Sequence, residues 1–279
     1  MKIVIVGSTH GNERTGYLLV SRWIKNCEKL SRQHEYKFLI ANPMAAQKNV
    51  RFIDFDLNRS FGPNFGKATG YEKIRSLEIK AELAHWAGRE PYFLIDLHTT
   101  TSNMGVTFVL SKSEALSAWA VAESQKVTSE SYILFNDLID DECRFVDSLA
   151  PHGCIVEVGP VAQGCEDLTI IEKTEGAVIN LLKALEEKPQ VNKVVVNGFE
   201  EVGGMAYEND SVIHPNFINS DYRELAPGIK IFQKKNGDVI EYKGERCFPI
   251  FIGEAAYLPN NHAFTKTIKT SKTFSFRKQ

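Results

Sequence analysis

Residues 3–16, IVIVGSTHGNERTG, constrain the fold more than any other stretch of the chain. Residues 3–6 are apolar and β-branched, which predicts a buried strand. A polar loop at residues 8–13 follows, and apolar residues then recur at helical spacing over residues 17–24. A strand, a loop and a helix in this order are typical of an open α/β sheet, in which ligands bind beyond the carboxyl ends of strands.

The loop contains a pair of residues that could bind a metal ion. His10 and Glu13 stand three residues apart, and imidazole and carboxylate groups are both zinc ligands. The same pair is also explained by an ordinary helix start, with Glu13 in the favourable first turn. A metal site at this loop therefore requires a further ligand from elsewhere in the chain.

A second apolar strand supplies that candidate ligand. Residues 91–98, PYFLIDLH, deliver His98 at the carboxyl end of the strand, as the first strand delivers its loop. Asp96 lies two residues earlier and points to the same side of the strand, so it could orient a ligand imidazole. His10, Glu13 and His98 would then form a His₂Glu set, the set that zinc peptidases use with one coordination position left open.

Two further polar features allow alternative interpretations. Residues 51–59, RFIDFDLNR, alternate apolar and polar side chains, which predicts an extended segment with its carboxylates and Asn58 on one face. Arg51 and Arg59 either join a solvated ion-pair network or form an anion-binding face. Glu157 lies inside the apolar run GCIVEVGP, and it either pairs with a buried arginine or acts as a general acid or base beside a metal.

Composition restricts the class of protein. The chain has 279 residues, 43% of them hydrophobic and 24% charged, with a net charge of −2. These values predict a globular protein of one or two domains that binds neither nucleic acid nor a membrane. No apolar stretch approaches the ~20 residues that span a bilayer, and the start lacks the apolar region of a signal peptide. The five cysteines are scattered without a Cys-x-x-Cys motif, which favours a reduced, cytoplasmic setting.

The residue pattern of the sequence changes after residue 188. Short alternating runs separated by Asn, Gly and Pro replace the longer helical segments, and residues 235–238, KNGD, are a strong hairpin signal. The sequence therefore predicts an α/β domain over residues 1–188 and a smaller β-rich domain over residues 189–279.

Taken together, these motifs resemble the aspartoacylase / succinylglutamate desuccinylase family of zinc-carboxypeptidase-like hydrolases, and its aspartoacylases more than its desuccinylases. The matching stretches are GSTHGNERTG, ANPMAAQKNVRFIDFDLNRSFG, DLHTTTSNMG, IVEVGPVAQG, HPNF and GEAAY, in family order over nearly the whole chain. The resemblance implies a zinc-carboxypeptidase-like mixed sheet flanked by helices, with a smaller C-terminal β-rich domain at the active-site entrance. It also suggests a homo-oligomer, a dimer or higher.

The resemblance further implies one zinc ion per subunit, held by His10, Glu13 and His98. In this comparison Glu157 is the catalytic residue that activates the attacking water. Arg51 is the second catalytic residue, which polarises the scissile carbonyl group.

The resemblance also implies how a small N-acyl amino acid would bind. Asn58 and Arg59 match the pair that holds the free carboxylate of the substrate, and Tyr257 reaches the substrate from the β-rich domain. Arg51 and Glu157 would also contact the substrate. The implied reaction is zinc-dependent hydrolysis of a linear amide, most simply of N-acetyl-L-aspartate to acetate and L-aspartate.

One departure from the family pattern weighs against N-acetylaspartate. Aspartoacylases are expected to have an arginine ten residues before the catalytic glutamate and a tyrosine four residues earlier. Here Asp147 and Cys143 occupy those positions, although Arg144 is nearby. A carboxylate of Asp147 that faced the pocket would repel an acidic side chain.

Two alternatives to aspartoacylase activity therefore stay open. The first is a deacylase for other N-acyl amino acids, aromatic or neutral, or a carboxypeptidase. The second is a catalytically silent, zinc-stabilised binding module, against which the presence of both Glu157 and Arg51 argues. The sequence gives no role to four further histidines, which are His34, His152, His214 and His262.

Overall fold

The computed structural model describes residues 1–62, 69–112, 114–136, 145–187 and 189–276. The helices are α1 (Arg14–Lys25), α2 (Pro43–Lys48), α3 (Gly70–Ala87), α4 (Ala115–Val127) and α5 (Leu168–Glu186). The strands are β1 (Lys2–Gly7), β2 (Glu35–Ile40), β3 (Tyr92–Thr99), β4 (Gly105–Leu110), β5 (Ser131–Phe135), β6 (His152–Gly159), β7 (Lys193–Ala206), β8 (Ser211–Ile213), β9 (Lys230–Lys234), β10 (Val239–Glu241), β11 (Phe248–Ile250) and β12 (His262–Ser275). Short 3₁₀ turns cover Leu57–Arg59, Val146–Leu149 and Ala255–Asn260.

A mixed nine-stranded sheet forms the centre of the molecule, in the order β11-β12-β7-β5-β4-β6-β3-β1-β2. Strands β2, β1, β3 and β6 run parallel to one another, and β4 runs antiparallel to β6. Strands β5 and β7 follow the direction of β4. The carboxyl ends of β1, β3 and β6 therefore meet at one edge, where ligand-binding side chains are expected.

Alternation along the strands separates two hydrophobic cores. Ile3 and Ile5 face the core that helices α1, α4 and α5 cover. Val4 and Val6 face a second core, which includes Ile79 of α3. Because successive side chains point to opposite faces of a sheet, each face buries its own apolar set. The predicted α/β sheet flanked by helices is confirmed.

The long strands β7 and β12 extend this sheet with residues from the C-terminal part of the chain. They pair antiparallel along almost their whole length, and β7 also pairs in parallel with the end of β5. A separate three-stranded sheet, in the order β10-β9-β8, contains the predicted hairpin at residues 235–238. The predicted division near residue 188 stays a prediction, since one sheet runs across that position.

One local prediction was wrong. The segment at residues 52–58 is a loop ending in a 3₁₀ turn, not an extended strand, because the side chain of Asp56 accepts a hydrogen bond from the N–H of Asn58 and closes the turn. The alternating residues on either side of Asn197 form one continuous strand, residues 193–206. Within the described ranges, no helix combines the length and apolarity needed to cross a membrane.

Candidate metal centre

The loop after β1 lies against helix α2 and the segment that follows it. A side chain at Gly11 would place its first carbon 2.1 Å from the backbone carbonyl carbon of Ala45, so only glycine fits. The N–H of Gly11 donates to the carbonyl oxygen of Arg51 at 3.1 Å. This close packing brings Arg51 beside His10 and Glu13, which the loop itself carries.

His10, Glu13 and His98 converge at the edge of the sheet. Nδ1 of His10 lies 2.6 Å from Oε1 of Glu13, and Nδ1 of His98 lies 2.8 Å from Oε2 of the same carboxylate. The three side chains are buried, and each offers one ligand atom within 4.8 Å of the others. Two imidazoles and a carboxylate at this spacing form a candidate metal site, and their donor chemistry fits a zinc ion.

A carboxylate orients the second ring nitrogen of each histidine. Nε2 of His10 lies 3.0 Å from Oδ1 of Asp56, and Nε2 of His98 lies 2.7 Å from Oδ2 of Asp96. The hydroxyl of Thr9 donates to the other oxygen of Asp96 at 2.7 Å. With a metal ion bound at Nδ1, the proton of each neutral ring would lie on Nε2 and would face Asp56 or Asp96.

Opposite charges shift the pKa values of the site. Burial alone would raise the pKa of Glu13, but the imidazoles of His10 and His98 hold it well below its ordinary value. Burial alone would lower the pKa of His98, whereas Asp96 and Glu13 raise it well above its ordinary value. The carboxylates therefore favour positive charge at this position, which a divalent cation supplies.

Arg51 belongs to the same cluster. Its guanidinium lies 3.4 Å from Oε1 of Glu13 and 3.4 Å from Oδ2 of Asp56. Burial would lower the pKa of Arg51, but the two carboxylates raise it, so the side chain stays charged. Arg51 therefore joins an ion-pair network and also places a cation beside the candidate metal ligands.

The 3₁₀ turn at Leu57–Arg59 positions the other two residues of the predicted substrate-binding set. Asn58 is buried, and its Oδ1 accepts a backbone N–H from the turn at Val146–Leu149 at 2.9 Å. Arg59 is an exposed residue whose Nη1 donates to the carbonyl oxygen of Asn58 at 3.1 Å, and its guanidinium lies 4.8 Å from the ring centre of Phe145. Only Arg59 of this pair therefore has a largely exposed polar group.

Glu157 reaches the same cavity from strand β6. Its backbone is paired with His98 of β3, so the two side chains leave neighbouring strands on one face of the sheet. Removal from water raises the pKa of Glu157 to about 8, although the charge of His98 opposes this rise. Within the described part of the chain, no arginine forms an ion pair with Glu157, in contrast to the alternative considered from the sequence.

Tyr257 is held at the cavity by the residue that begins its turn. The carboxylate of Glu254 accepts hydrogen bonds from the N–H of Thr101 at 2.7 Å, from the hydroxyl of Thr101 at 2.9 Å and from the hydroxyl of Thr100. Its other oxygen accepts the N–H of Ala256 at 2.9 Å. Glu254 thus fastens the turn that carries Tyr257 to the loop after β3.

Every residue of the predicted site lines one cavity of about 390 Å³, and so do several residues that the sequence did not single out. The predicted residues are His10, Glu13, Arg51, Asn58, Arg59, His98, Glu157 and Tyr257. The further lining residues include Val109, Leu134, Asn136, Phe145, Ile155, Glu201, Phe251, Glu254 and His262. His262 had no assigned role, because a lone histidine at a strand start gives no signal until the strands are paired. Glu254 lies in the GEAAY motif, and that motif was the available signal for it.

The structure describes only part of the segment in which the sequence departs from the family pattern. Cys143 and Arg144 lie outside the described residues. Asp147 is buried in the turn at Val146–Leu149 and is not among the residues that line the cavity. Its carboxylate therefore does not contact an acidic substrate side chain in the cavity. Burial raises the pKa of Asp147 to about 6.

Comparison with known proteins identifies the family. Residues 1–185 match the succinylglutamate desuccinylase/aspartoacylase catalytic domain. The chain belongs to this family. Residues 200–269 match the AstE/AspA barrel-sandwich hybrid domain, which follows the catalytic domain in the same order.

Relatives of this family are similar to the chain over nearly its whole length. An N-acyl-aromatic-L-amino acid amidohydrolase (carboxylate-forming) of Xenopus tropicalis is 34% identical, covering 96% of this chain and 93% of the relative. An aspartoacylase of the same species is 31% identical, covering 96% and 92%. The crystal structure of murine aminoacylase 3 superimposes with a TM-score of 0.90 at 26% identity, covering 99% of this chain and 97% of that one. These similarities support deacylation of N-acyl amino acids.

Proposed function

We propose that this protein is a zinc-dependent amidohydrolase that removes the acyl group from an N-acyl-L-amino acid. The convergence of the ligand atoms of His10, Glu13 and His98 carries the proposal, because it occurs in the same cavity as Arg51 and Glu157. A structural metal site has no use for a neighbouring base and an arginine. The proposed stoichiometry is one zinc ion per subunit.

The proposed metal ligands are held ready before the metal binds. His10, Glu13 and His98 would hold the zinc ion, with Asp56 and Asp96 orienting the two imidazoles. A zinc ion in such a site would supply a Lewis acid, which would polarise a carbonyl group and lower the pKa of bound water to about 7.

Glu157 is the proposed proton carrier. Burial favours the protonated form of Glu157, but a bound cation would favour its ionised form, and that carboxylate would take a proton from the attacking water as the new carbon–oxygen bond forms. The same group delivers that proton to the amine nitrogen as the carbon–nitrogen bond breaks. The products are the free carboxylate of the acyl group and the free amino acid, so the reaction consumes one water molecule and needs no other reactant.

Arg51 and the substrate-binding residues complete the proposed site. The guanidinium of Arg51 would stabilise the negative charge that develops on the carbonyl oxygen, a donor effect often worth ~3 kcal/mol. Arg59, with Asn58, would bind the α-carboxylate of the amino acid through charge-assisted hydrogen bonds. Tyr257 would close the cavity over the substrate from the turn at Ala255–Asn260.

Two amino-acid classes compete as the natural substrate. N-acetyl-L-aspartate is the prediction from the resemblance, and several relatives are named aspartoacylase or probable aspartoacylase. A neutral or aromatic side chain is favoured by the apolar lining from Val109, Leu134 and Ile155 and by relatives named for aromatic substrates. The apolar lining makes the second class the stronger candidate for the described cavity.

The test combines metal analysis with a substrate panel. The purified protein should bind one zinc ion per chain and hydrolyse at least one of N-acetyl-L-aspartate, N-acetyl-L-leucine and N-acetyl-L-phenylalanine. Glu157→Ala should abolish turnover, with a loss of about 10²-fold or more, while zinc content is retained. Unchanged turnover in this variant would remove Glu157 from the mechanism, and a zinc-bound protein inactive on every acyl amino acid would favour the silent binding module.

We also infer a cytoplasmic setting. The described cysteines, Cys27, Cys154, Cys165 and Cys247, are all free of disulfide bonds. Free thiols in this number are typical of a reducing compartment. Fractionation of cells expressing the protein would test this, and recovery of the protein outside the cytoplasm would contradict it.

A further inference from the structure

One end of the cavity takes no part in the chemical steps of the proposed reaction. Ile155, Val109 and Leu134 lie side by side on strands β6, β4 and β5, because Val109 is paired with both of the others. All three line the cavity. They form an apolar row across the sheet, one step further from the metal centre than Glu157, which follows Ile155 by two residues on β6.

Two polar side chains lie beyond this apolar row. The parallel pairing of β5 with β7 ends at Phe135 and Glu200, and Asn136 and Glu201 are the next residues along the two segments. Asn136 follows Leu134 by two residues, so its side chain leaves the same face of the sheet. Asn136 and Glu201 both line the cavity. We call these two residues the distal pair.

The distal pair is free to bind a ligand. Among the described residues, the side chains of Asn136 and Glu201 form no hydrogen bond or ion pair. The neighbouring His262 is already engaged, since its Nε2 lies 2.9 Å from the hydroxyl oxygen of Thr265. Partial burial raises the pKa of Glu201, although the residue stays exposed to solvent, so its carboxylate can be reached by a donor or a cation.

The distance between the two ends suits a side chain of several carbon atoms. Strand β5 runs antiparallel to β6, so Glu157 and Asn136 extend from the apolar row in opposite directions. Two residues on each side amount to about 13 Å along the strands, and the two steps from β6 across β4 to β5 add about 10 Å sideways, so the backbones of Glu157 and Asn136 lie about 16 Å apart. The acetyl group of a substrate ends one methyl group beyond the scissile carbonyl and covers little of this distance. A long amino-acid side chain covers more of it, and the side chains of Glu157 and Glu201 are available to reach the rest.

We propose that the distal pair, Asn136 and Glu201, is a side-chain subsite that selects N-acyl amino acids with an apolar side chain ending in a hydrogen-bond donor or a cation, as in lysine. This inference rests on the proposed deacylase function and changes its substrate class in one respect: the stem of the side chain is apolar, as the cavity lining favours, but its end is polar. The apolar row binds the methylene groups, and the distal pair binds the polar end.

The test compares substrates that differ only at that polar end. The kcat/KM values for Nα-acetyl-L-lysine and N-acetyl-L-norleucine are measured with the zinc-loaded protein and with Glu201→Gln. The lysine-to-norleucine ratio should fall about fivefold in the variant, as expected for a partly exposed ion pair, while the norleucine value itself changes less than about twofold. Glu201→Lys should in turn favour N-acetyl-L-glutamate over Nα-acetyl-L-lysine.

Glu200→Gln is the matched control. Glu200 lies one residue earlier on the opposite face of β7, and its Oε1 accepts from Nζ of Lys272 at 2.9 Å, outside the cavity. The substrate ratio should not change in this variant. An equal ratio in wild type and Glu201→Gln would overturn the subsite and leave the deacylase function intact. Failure of the zinc-loaded protein to hydrolyse any N-acyl amino acid would overturn the proposed function, and the subsite with it.

Discussion

At the scale of single residues, the two histidines of the candidate metal centre share one arrangement. One ring nitrogen of each faces Glu13, and the other faces a carboxylate, Asp56 for His10 and Asp96 for His98. Each ring is therefore fixed in rotation before any metal binds. The arrangement combines residues from three separate segments of the chain.

This arrangement predicts that the outer carboxylates control metal affinity. Asp96→Asn and Asp56→Asn preserve the size of the side chain but remove the charge that orients the imidazole. Each should weaken zinc binding by about 10- to 100-fold, measured by competition with a chromophoric chelator. Glu200→Gln, on the opposite face of β7, is the control and should bind zinc as the wild type does. Wild-type affinity in both Asp variants would show that the contacts are only structural.

A buried carboxyl group remote from the metal ligands predicts a pH dependence of stability. Burial raises the pKa of Asp221 from 3.8 to about 6, even though the N–H of Ile252 donates to its Oδ1 and opposes the rise. Because the folded-state pKa is higher than the unfolded-state pKa, the folded state binds the proton more tightly. The stabilisation is complete below pH 4 and is lost as the pH rises through 6.

The measurement compares denaturant unfolding of wild type and Asp221→Asn between pH 4 and pH 8. Relative to the variant, the wild type should gain on the order of 3 kcal/mol as the pH falls from 8 to 4, because one pKa unit corresponds to about 1.4 kcal/mol. Taking the difference cancels the other titrating groups, which both proteins share. A difference that does not change with pH would mean that Asp221 has an ordinary pKa in the folded state.

The sequence alone predicted some residues of the site, and there is a physical reason why it missed the others. His10, Glu13 and His98 could be found because each follows or ends an apolar strand, and the direction of a parallel strand fixes where its end lies. Glu201 and His262 could not be found in this way. They belong to strands whose neighbours are decided by tertiary pairing, and alternation alone does not specify a partner strand.

At the scale of secondary-structure elements, the 3₁₀ turn at Ala255–Asn260 links the C-terminal region to the metal centre. Glu254 begins the turn and is buried, with hydrogen bonds from Thr100, Thr101 and Ala256. Loss of these hydrogen bonds would leave a buried carboxylate without donors, or buried donors without an acceptor. Either outcome would destabilise the fold. The turn therefore depends on one side chain for its position over the cavity.

We expect Glu254→Ala to displace Tyr257 from the cavity. The variant should raise KM about tenfold or more and lower the thermal midpoint, because several buried donors lose their acceptor. Tyr257→Phe is the matched variant, since it removes only the hydroxyl group and should leave stability within about 0.5 kcal/mol of wild type. A wild-type KM in Glu254→Ala would show that the turn keeps its position without this carboxylate.

The elements themselves were predictable where periodicity was long and regular. Helix α1 and strands β1 and β3 lie within a few residues of their predicted bounds. The structure of residues 52–58 was not predictable in this way. The alternating pattern has the period of a strand, whereas the Asp56 side chain favours a turn. Local side-chain hydrogen bonding therefore decided the structure at this position.

At the scale of the whole molecule, one sheet joins the two regions that the sequence separates near residue 188. Strand β7 covers the edge of β5, and the C-terminal region contributes Glu201, Tyr257 and His262 to the cavity. We propose that the boundary near residue 188 marks a change in residue pattern and not a boundary between independently stable domains. The two parts would then depend on each other for stability. The sequence indicated the change in residue pattern, but it contained no signal that strands from both parts would join one sheet.

This dependence predicts the behaviour of a truncated chain. Residues 1–188 expressed alone would leave β5 as an unpaired edge and expose the apolar residues packed beneath the C-terminal region, so the fragment should aggregate or unfold without a cooperative transition. Circular dichroism and analytical ultracentrifugation would measure this. A monomeric fragment with a sharp unfolding transition would instead show an independently stable domain.

The central claim is that His10, Glu13 and His98 hold one zinc ion that is required for hydrolysis of N-acyl amino acids. The most direct measurement titrates zinc into metal-free protein while following hydrolysis of the acyl amino acid panel. We predict that activity rises from zero to a plateau at one equivalent of zinc per chain, and that His98→Ala abolishes the rise. Activity that is independent of zinc, or full activity in His98→Ala, would contradict the account.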